Sequence, residues 1–399
     1  MIQKFVTIFF LLFALVTVSV AQQNKLLHVD FYGDSLTFYL SLPDTSNLHE
    51  PITEGEIKAQ VNFLEKWNHQ FMVDSMLSYR NTHQLDDWLY YQLVRKTSQV
   101  IFAKEKNYLR YTTLKWFFLV HSGYDATLKI VDNKLLLYVQ SDEPIFNLPY
   151  YMKKNKQYVC FNYHDYGFFD LKENIYQEID LNYVNSKKPF SYKVAKIPEG
   201  KDNLYIEKAL EFNYYESVTQ FKIKLNPNIQ QMFANYPVVD YATYFNIPLS
   251  RKTYQTLIPE LKKNIAKMSV KNGVDFLMRF TRYAFLFEAD TENFGREKRL
   301  TPEQTILYKY SDCEDRAALF FYLVKEIYNL PMIVLSYPNH ISIAIKLKKP
   351  VGKPIIYNGE KYTEAEPTPQ MEDLPLGKMI PSLRKTNFQV VYVYNPSQP

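Results

Sequence analysis

The residues able to do chemistry gather in one stretch, Tyr310-Ser311-Asp312-Cys313-Glu314-Asp315-Arg316-Ala317-Ala318-Leu319, and at two positions beyond it, His340 and Glu366. The apolar run after Arg316 is too continuous for a surface helix, so it predicts a largely buried one. Ser311 or Asp312 would cap it. Cys313 then sits in the first turn, where unpaired amides and the macrodipole favour an anion and lower a thiol's pKa. Glu314 and Asp315 oppose this by repulsion, to an extent set by where their side chains point. A nucleophilic cysteine needs a base, and the base needs a third group to orient it. His340 is the only histidine after His164. Glu366 precedes Pro367, which ends a strand and leaves the carboxylate at its tip. Together the three types suit acyl transfer: sulfur attacks a carbonyl, imidazole carries the proton, carboxylate holds the imidazole. Taken singly, each has a plain structural reading as an inert buried thiol, a strand histidine and a solvated carboxylate.

The elements that must position these groups follow from periodicity. Residues 332–337 and 340–347 predict two strands joined at Pro338-Asn339. Ile341, Ile343, Ile345 and Leu347 alternate with His340, Ser342, Ala344 and Lys346, so His340 opens the less apolar face. Residues 355–357, the Asn358-Gly359 turn and residues 361–366 predict a second hairpin. Upstream, Tyr254, Leu257, Leu261 and Ile265 mark one buried helical stripe; Val274, Leu277, Met278 and Phe280 mark another. A polar loop from Glu288 to Arg299 reads as a solvated connection. Thr301-Pro302-Glu303 then has the form of a helix start. Before all this, residues 22–101 read as mainly helical after a short strand. The period changes at Ala126 to a hairpin with its turn at Asn133, and short aromatic and β-branched runs continue to about 223. Three prolines make 226–248 linker-like. The expected division is therefore 1–21 signal peptide, 22–150 helical or mixed, 151–245 β-rich, and 246–399 carrying the cysteine.

The chain has 399 residues, 47% of them hydrophobic and 22% charged, with a net charge of +5. That excludes a disordered chain. Two cysteines, Cys160 and Cys313, cannot build a disulfide-dense domain or a four-thiolate zinc site. The start, MIQKFVTIFFLLFALVTVSVAQQN, has a basic residue, an apolar run, and small residues before Gln22: a secretory signal peptide cut after Ala21. The expected location is periplasmic or extracellular, and no later stretch reaches the roughly 18 apolar residues of a spanning helix. Loss of Lys4 leaves 46 basic against 42 acidic residues, a net +4 that is too weak and dispersed for nucleic acid. No two histidines stand at metal-ligand spacing and no phosphate-cradling glycine loop occurs, so no metal, nucleotide or other cofactor is expected.

The order of cysteine at a helix start, histidine at a strand start and carboxylate at a following strand end, with the Ser311–Leu319 wording, resembles the transglutaminase-like superfamily of papain-type cysteine enzymes. The resemblance covers about Ser250 to Met379. The family pattern is a glycine-acid-cysteine-x-aspartate run, then a histidine after a strand turn, then an Asp-Pro-Thr-like word, here Glu366-Pro367-Thr368. Phe280-Thr281-Arg282-Tyr283-Ala284-Phe285 resembles the helix that precedes the cysteine loop. The resemblance implies an α+β chain with a papain-type C-terminal domain, in an exported bacterial member of the family. It implies Cys313 as nucleophile, His340 as general base and acid, and Glu366 as orienting carboxylate. Ser311 replaces the usual glycine, Glu366 the usual aspartate, and Arg282 stands where relatives often carry glutamine. The implied activity is a peptidase or amidase working through an acyl-enzyme on a protein or peptide substrate, such as one drawn from the cell envelope. Amine transfer to protein glutamine, or a noncatalytic envelope-binding module, are the alternatives. A Cys160–Cys313 disulfide would consume the nucleophile, so both thiols are expected free, with Cys160 in the core. Trp116–Val120 followed by a strand also resembles Phe320–Val324 followed by a strand, so the N-terminal half could be a degenerate copy lacking the cysteine; convergent patterning is the other reading.

Overall fold

The computed structural model describes residues 23–42, 53–67, 69–167, 177–181, 183, 186–288 and 298–396. The expected signal peptide and most of the polar loop before Arg299 lie outside the described residues. Helices and strands are mixed along the chain, an α+β architecture. None of the described helices is long and apolar enough to cross a membrane.

The chain opens with the antiparallel hairpin β1 (Gln23–Phe31) and β2 (Asp34–Leu42). Three helices follow, α1 (Glu54–Glu65), α2 (His69–His83) and α3 (Asp87–Ile101). Helix α4 (Tyr108–His121) buries all its residues from Leu109 to Val120, the polar Arg110, Thr112, Thr113 and Lys115 included. It runs into β3 (Ala126–Val131) and β4 (Lys134–Gln140), joined by Asp132 and Asn133 in the left-handed region, as a tight two-residue hairpin requires. Strands β5 (Tyr150–Lys153), β6 (Lys156–Cys160) and β7 (Gln177–Glu178) complete a sheet of order β5-β6-β4-β3-β7. The expected division at 150/151 therefore cuts through a sheet, because β6 is hydrogen-bonded to β4.

A second hairpin, β8 (Ile206–Tyr214) and β9 (Ser217–Leu225), leads to two single-turn helices, α5 (Ile229–Met232) and α6 (Tyr241–Tyr244). This three-proline passage is not a linker. Ile229, Met232, Phe233, Tyr244, Phe245 and Ile247 are buried in the main core. Pro227 lies in a turn, and the aromatic and aliphatic residues between the prolines dock.

Helices α7 (Arg251–Ile265) and α8 (Val270–Tyr283) come next, then β10 (Leu286–Phe287), α9 (Pro302–Leu307), β11 (Tyr310–Ser311) and α10 (Cys313–Tyr328). Helix α10 runs into β12 (Met332–Tyr337) and β13 (His340–Ile345). Strands β14 (Ile355–Tyr357), β15 (Glu360–Ala365) and β16 (Gln389–Tyr394) complete a sheet of order β14-β15-β13-β12-β16.

The two five-stranded sheets have one topology. Each follows a buried helix; the first hairpin sits centrally, the next hairpin adds beside its second strand, and the last strand adds beside its first. All the pairings are antiparallel in both. The weak sequence repeat falls on the two helices, α4 and α10. Register aligns the sheets residue by residue. Val131 pairs with Lys134 as Tyr337 pairs with His340, and Tyr138 pairs with Cys160 as Ala344 pairs with Glu364. Lys134, Cys160 and Asn162 thus stand where the second sheet carries His340, Glu364 and Glu366.

A buried acid joins the pieces around α9. Glu303 accepts from Asn226 N–H at 2.9 Å, Ser250 N–H at 2.6 Å, Ser250 Oγ at 2.9 Å and Thr253 Oγ1 at 2.6 Å. It thereby ties α9 to the end of β9 and the start of α7. Burial pushes its carboxyl upward, against these hydrogen bonds. Glu303→Ala leaves several buried donors without an acceptor and is expected to cost about 3 kcal/mol or more in urea unfolding. A loss under about 1 kcal/mol would show that they find other partners.

Candidate active site

Helix α10 starts where the sequence places it, with Asp312 as the cap. Asp312 Oδ1 accepts from the Asp315 amide at 3.1 Å, and Asp315 Oδ2 from the Asp312 amide at 3.3 Å, a reciprocal capping box. The Arg316 amide reaches the Asp312 carbonyl. The amides of Cys313 and Glu314 are left without an acceptor among the described residues, so two polarised N–H groups stand beside the thiol. Neither acidic neighbour of Cys313 is loose. Glu314 takes Arg299 Nε at 2.6 Å and the Tyr241 hydroxyl at 2.9 Å. Asp315 also accepts from the Leu300 amide at 2.7 Å and the Tyr244 hydroxyl at 3.2 Å.

Cys313 is a free, partly buried thiol. The backbone amide of Ile341, the residue after His340, acts on the sulfur in favour of the thiolate. Of the two opposing effects that the sequence leaves open at Cys313, the one that disfavours the thiolate prevails. Burial, first, and the charge of Asp312, then those of Glu314 and Glu366, push the thiol up to about 12, and the Ile341 hydrogen bond offsets only part of this. A helix end offers about half a unit of positive charge; burial and three nearby carboxylates outweigh it. Cys160 is also free and wholly buried, its thiol likewise pushed up to about 12 by burial.

His340 and Glu366 meet. Nε2 of His340 lies 2.7 Å from Glu366 Oε2, with Glu366 1% exposed. The other carboxylate oxygen accepts from the Thr368 amide at 2.8 Å, just past Pro367. The carboxylate is thus held at both oxygens, and the longer glutamate side chain still reaches the imidazole. His340 Nδ1 has no hydrogen bond among the described residues, and the sulfur and imidazole are not bonded to each other in this arrangement.

Two buried arginines align these pieces. Arg316 donates from Nη1 to the carbonyls of Thr281 at 2.8 Å and Arg282 at 2.9 Å, and from Nη2 to that of Phe285 at 3.1 Å. Arg282 donates to the Glu366 carbonyl, to that of Leu374 at 2.9 Å and to Asp373 at 2.9 Å. The residue that departs from the family wording is therefore what holds the strand end bearing Glu366.

Sequence reasoning missed Arg316, Arg299 and above all Glu364. Glu364 lies two residues before Glu366, so alternation puts both on the sheet face that carries His340. It is 2% exposed, and its Oε1 is buried without a hydrogen-bond partner. The hydroxyl of buried Tyr337, opposite His340, is likewise unpartnered. Burial first, then the Glu366 charge, raise the Glu364 carboxyl to about 7, with His340 working the other way. The signal was available in the i, i+2 spacing of two glutamates; what could not be seen was that both are buried.

No protein-family model, curated protein or solved structure matches this chain. The site is therefore judged on its own geometry. That geometry gives Glu364 a measurable signature. With its carboxyl near 7 in the fold against 4.5 ordinarily, the folded chain holds an extra proton between those values. Stability then falls as pH rises through that window and is level above it. Glu364→Gln should remove this slope and gain up to about 3 kcal/mol over the parent at pH 8 relative to pH 5 in urea unfolding. Equal slopes in the two proteins would refute the assignment.

Proposed function

We propose that this chain is an exported, transglutaminase-like cysteine enzyme that acts on amide or peptide bonds through an acyl-enzyme, as a peptidase or amidase. The observation that carries the reading is the 2.7 Å His340–Glu366 pair, set at a strand start whose next amide favours the Cys313 thiolate. In this reading the thiol gives its proton to the free Nδ1 of His340 as sulfur attacks the carbonyl carbon. The oxyanion forms against the unclaimed amides of Cys313 and Glu314. Collapse breaks the carbon–nitrogen bond, and His340 returns the proton to the departing amine. Water, deprotonated by the same imidazole, then hydrolyses the thioester. A thiol that rests protonated suits proton transfer during attack rather than a standing ion pair. An amine in place of water would give amine transfer. By the same reading the first sheet and α4 form a degenerate copy, with Lys134 and Asn162 at the positions of the base and the orienting acid.

A noncatalytic envelope-binding role is the second reading. It is favoured by the high thiol pKa and the missing sulfur–imidazole hydrogen bond. Turnover separates the two. Peptide and glutamine amides should release amine or ammonia, a fluorescent primary amine reports transfer, and intact mass shows the acyl-enzyme. Cys313→Ala should abolish all three signals. His340→Ala should lower turnover about 10²–10⁴-fold, and Glu366→Asp should keep more activity than Glu366→Ala. No acyl-enzyme across a broad set of amides, or turnover unchanged in Cys313→Ala, would leave the binding role standing.

A further inference from the structure

We propose that Glu65, His69 and His121 form a binding site for a divalent transition-metal ion of the zinc class. The three come from three helix ends: Glu65 closes α1, His69 opens α2 and His121 closes α4. His121 Nε2 lies 3.2 Å from Glu65 Oε1, and His69 Nε2 lies 3.8 Å from Glu65 Oε2. The imidazole centroids are 4.4 Å apart, and one ligand atom from each residue falls within 4.8 Å of the others. A tetrahedral zinc with nitrogen and oxygen ligands at about 2.0–2.2 Å spaces them by roughly 3.3–3.5 Å, so only a small contraction would close the set. Two imidazoles and one carboxylate are the donors that zinc and its neighbours prefer over calcium or magnesium.

The surroundings favour an ion over a plain ion-pair cluster. Phe117 packs against both imidazoles, with centroids at 5.0 Å and 4.2 Å, giving them an apolar floor that fixes the rings. His69 Nδ1 is buried with no hydrogen-bond partner, so the ring is not committed to another acceptor. Glu65 Oε1 receives the Tyr183 hydroxyl and His121, while Oε2 turns to His69 at 3.8 Å, too long for a direct hydrogen bond and open to a shared ion. Neutral imidazoles facing one carboxylate concentrate lone pairs, which a cation satisfies and a single proton does not. One ion would clasp the ends of three helices.

The site is independent of Cys313 and is tested without an activity assay. The purified exported chain, stripped with chelator, is titrated with zinc by calorimetry and with cobalt as a colour probe. One equivalent of zinc should bind, and cobalt should give the intense visible bands of a low-coordinate site. His69→Ala and His121→Ala should each weaken binding at least about tenfold, the scale of losing even a supporting contact at a metal site. Cys313→Ala and His28→Ala should leave it unchanged. Glu65→Gln, which preserves side-chain shape, gives a further removal if either alanine variant fails to fold, as judged by melting in chelator. Absence of stoichiometric zinc binding, or binding undiminished in the folded ligand variants, would overturn the proposal.

Discussion

The C-terminal turn of α8 is the constraint on which the candidate site depends. A helix end leaves carbonyls without partners, and here Arg316 of α10 takes those of Thr281 and Arg282, and that of Phe285 just beyond. Arg316 lies three residues after Cys313, so fixing its guanidinium fixes the azimuth of the thiol. From the same turn Arg282 reaches out to the Glu366 carbonyl. The helix with the nucleophile and the strand end with the acid are thus referred to one short piece of backbone. Burying two guanidinium groups is costly unless their donors are used. Burial lowers the Arg316 pKa to about 10, and the carbonyls offset that cost while making the geometry specific.

The electrostatics around the thiol follow from that packing. Docking α10 by its start brings Cys313 into a partly buried place with Asp312, Glu314 and Glu366 nearby. Arg299 draws Glu314 aside, and the capping box occupies Asp312 and Asp315, but among the described residues no cation acts on the sulfur to offset its burial. The proposed acyl transfer therefore depends on His340 as an acceptor at the moment of attack. Glu364, raised toward neutrality beside Glu366, limits the negative charge that would accumulate on that sheet face.

The chain solves one packing problem twice. An apolar helix followed by a tight hairpin occurs at α4 and at α10, and both helices end in the same continuous core. In the first sheet Asn162 hydrogen-bonds to the Leu137 amide at 2.8 Å, the Leu135 carbonyl at 2.8 Å and the Tyr108 hydroxyl at 2.9 Å. Tyr108 opens α4 as Cys313 opens α10. A fixed amide–phenol contact thus joins helix start to strand end where the second sheet pairs an imidazole with a carboxylate.

Sequence alone determined the local elements around the site. A cap at Ser311 or Asp312, the β12–β13 hairpin, the Asn358-Gly359 turn, and the places of His340 at a strand start and Glu366 at a strand end all follow from short-range rules of capping, turn chemistry and period-two alternation. Tertiary structure decided what those rules do not contain. It showed that 226–248 is docked rather than a linker, that β5 and β6 belong with β4, and that Arg282 and Arg316 share a helix end. It also settled the direction of the Cys313 thiol's shift, which the sequence left open, and exposed Glu364 as a buried acid. The reason is physical. Secondary structure is set by neighbours within a few residues, whereas desolvation and charge–charge interaction depend on groups far apart in the chain. Glu65 and His121 are 56 residues apart yet 3.2 Å from contact to contact, a proximity that no spacing along the sequence encodes.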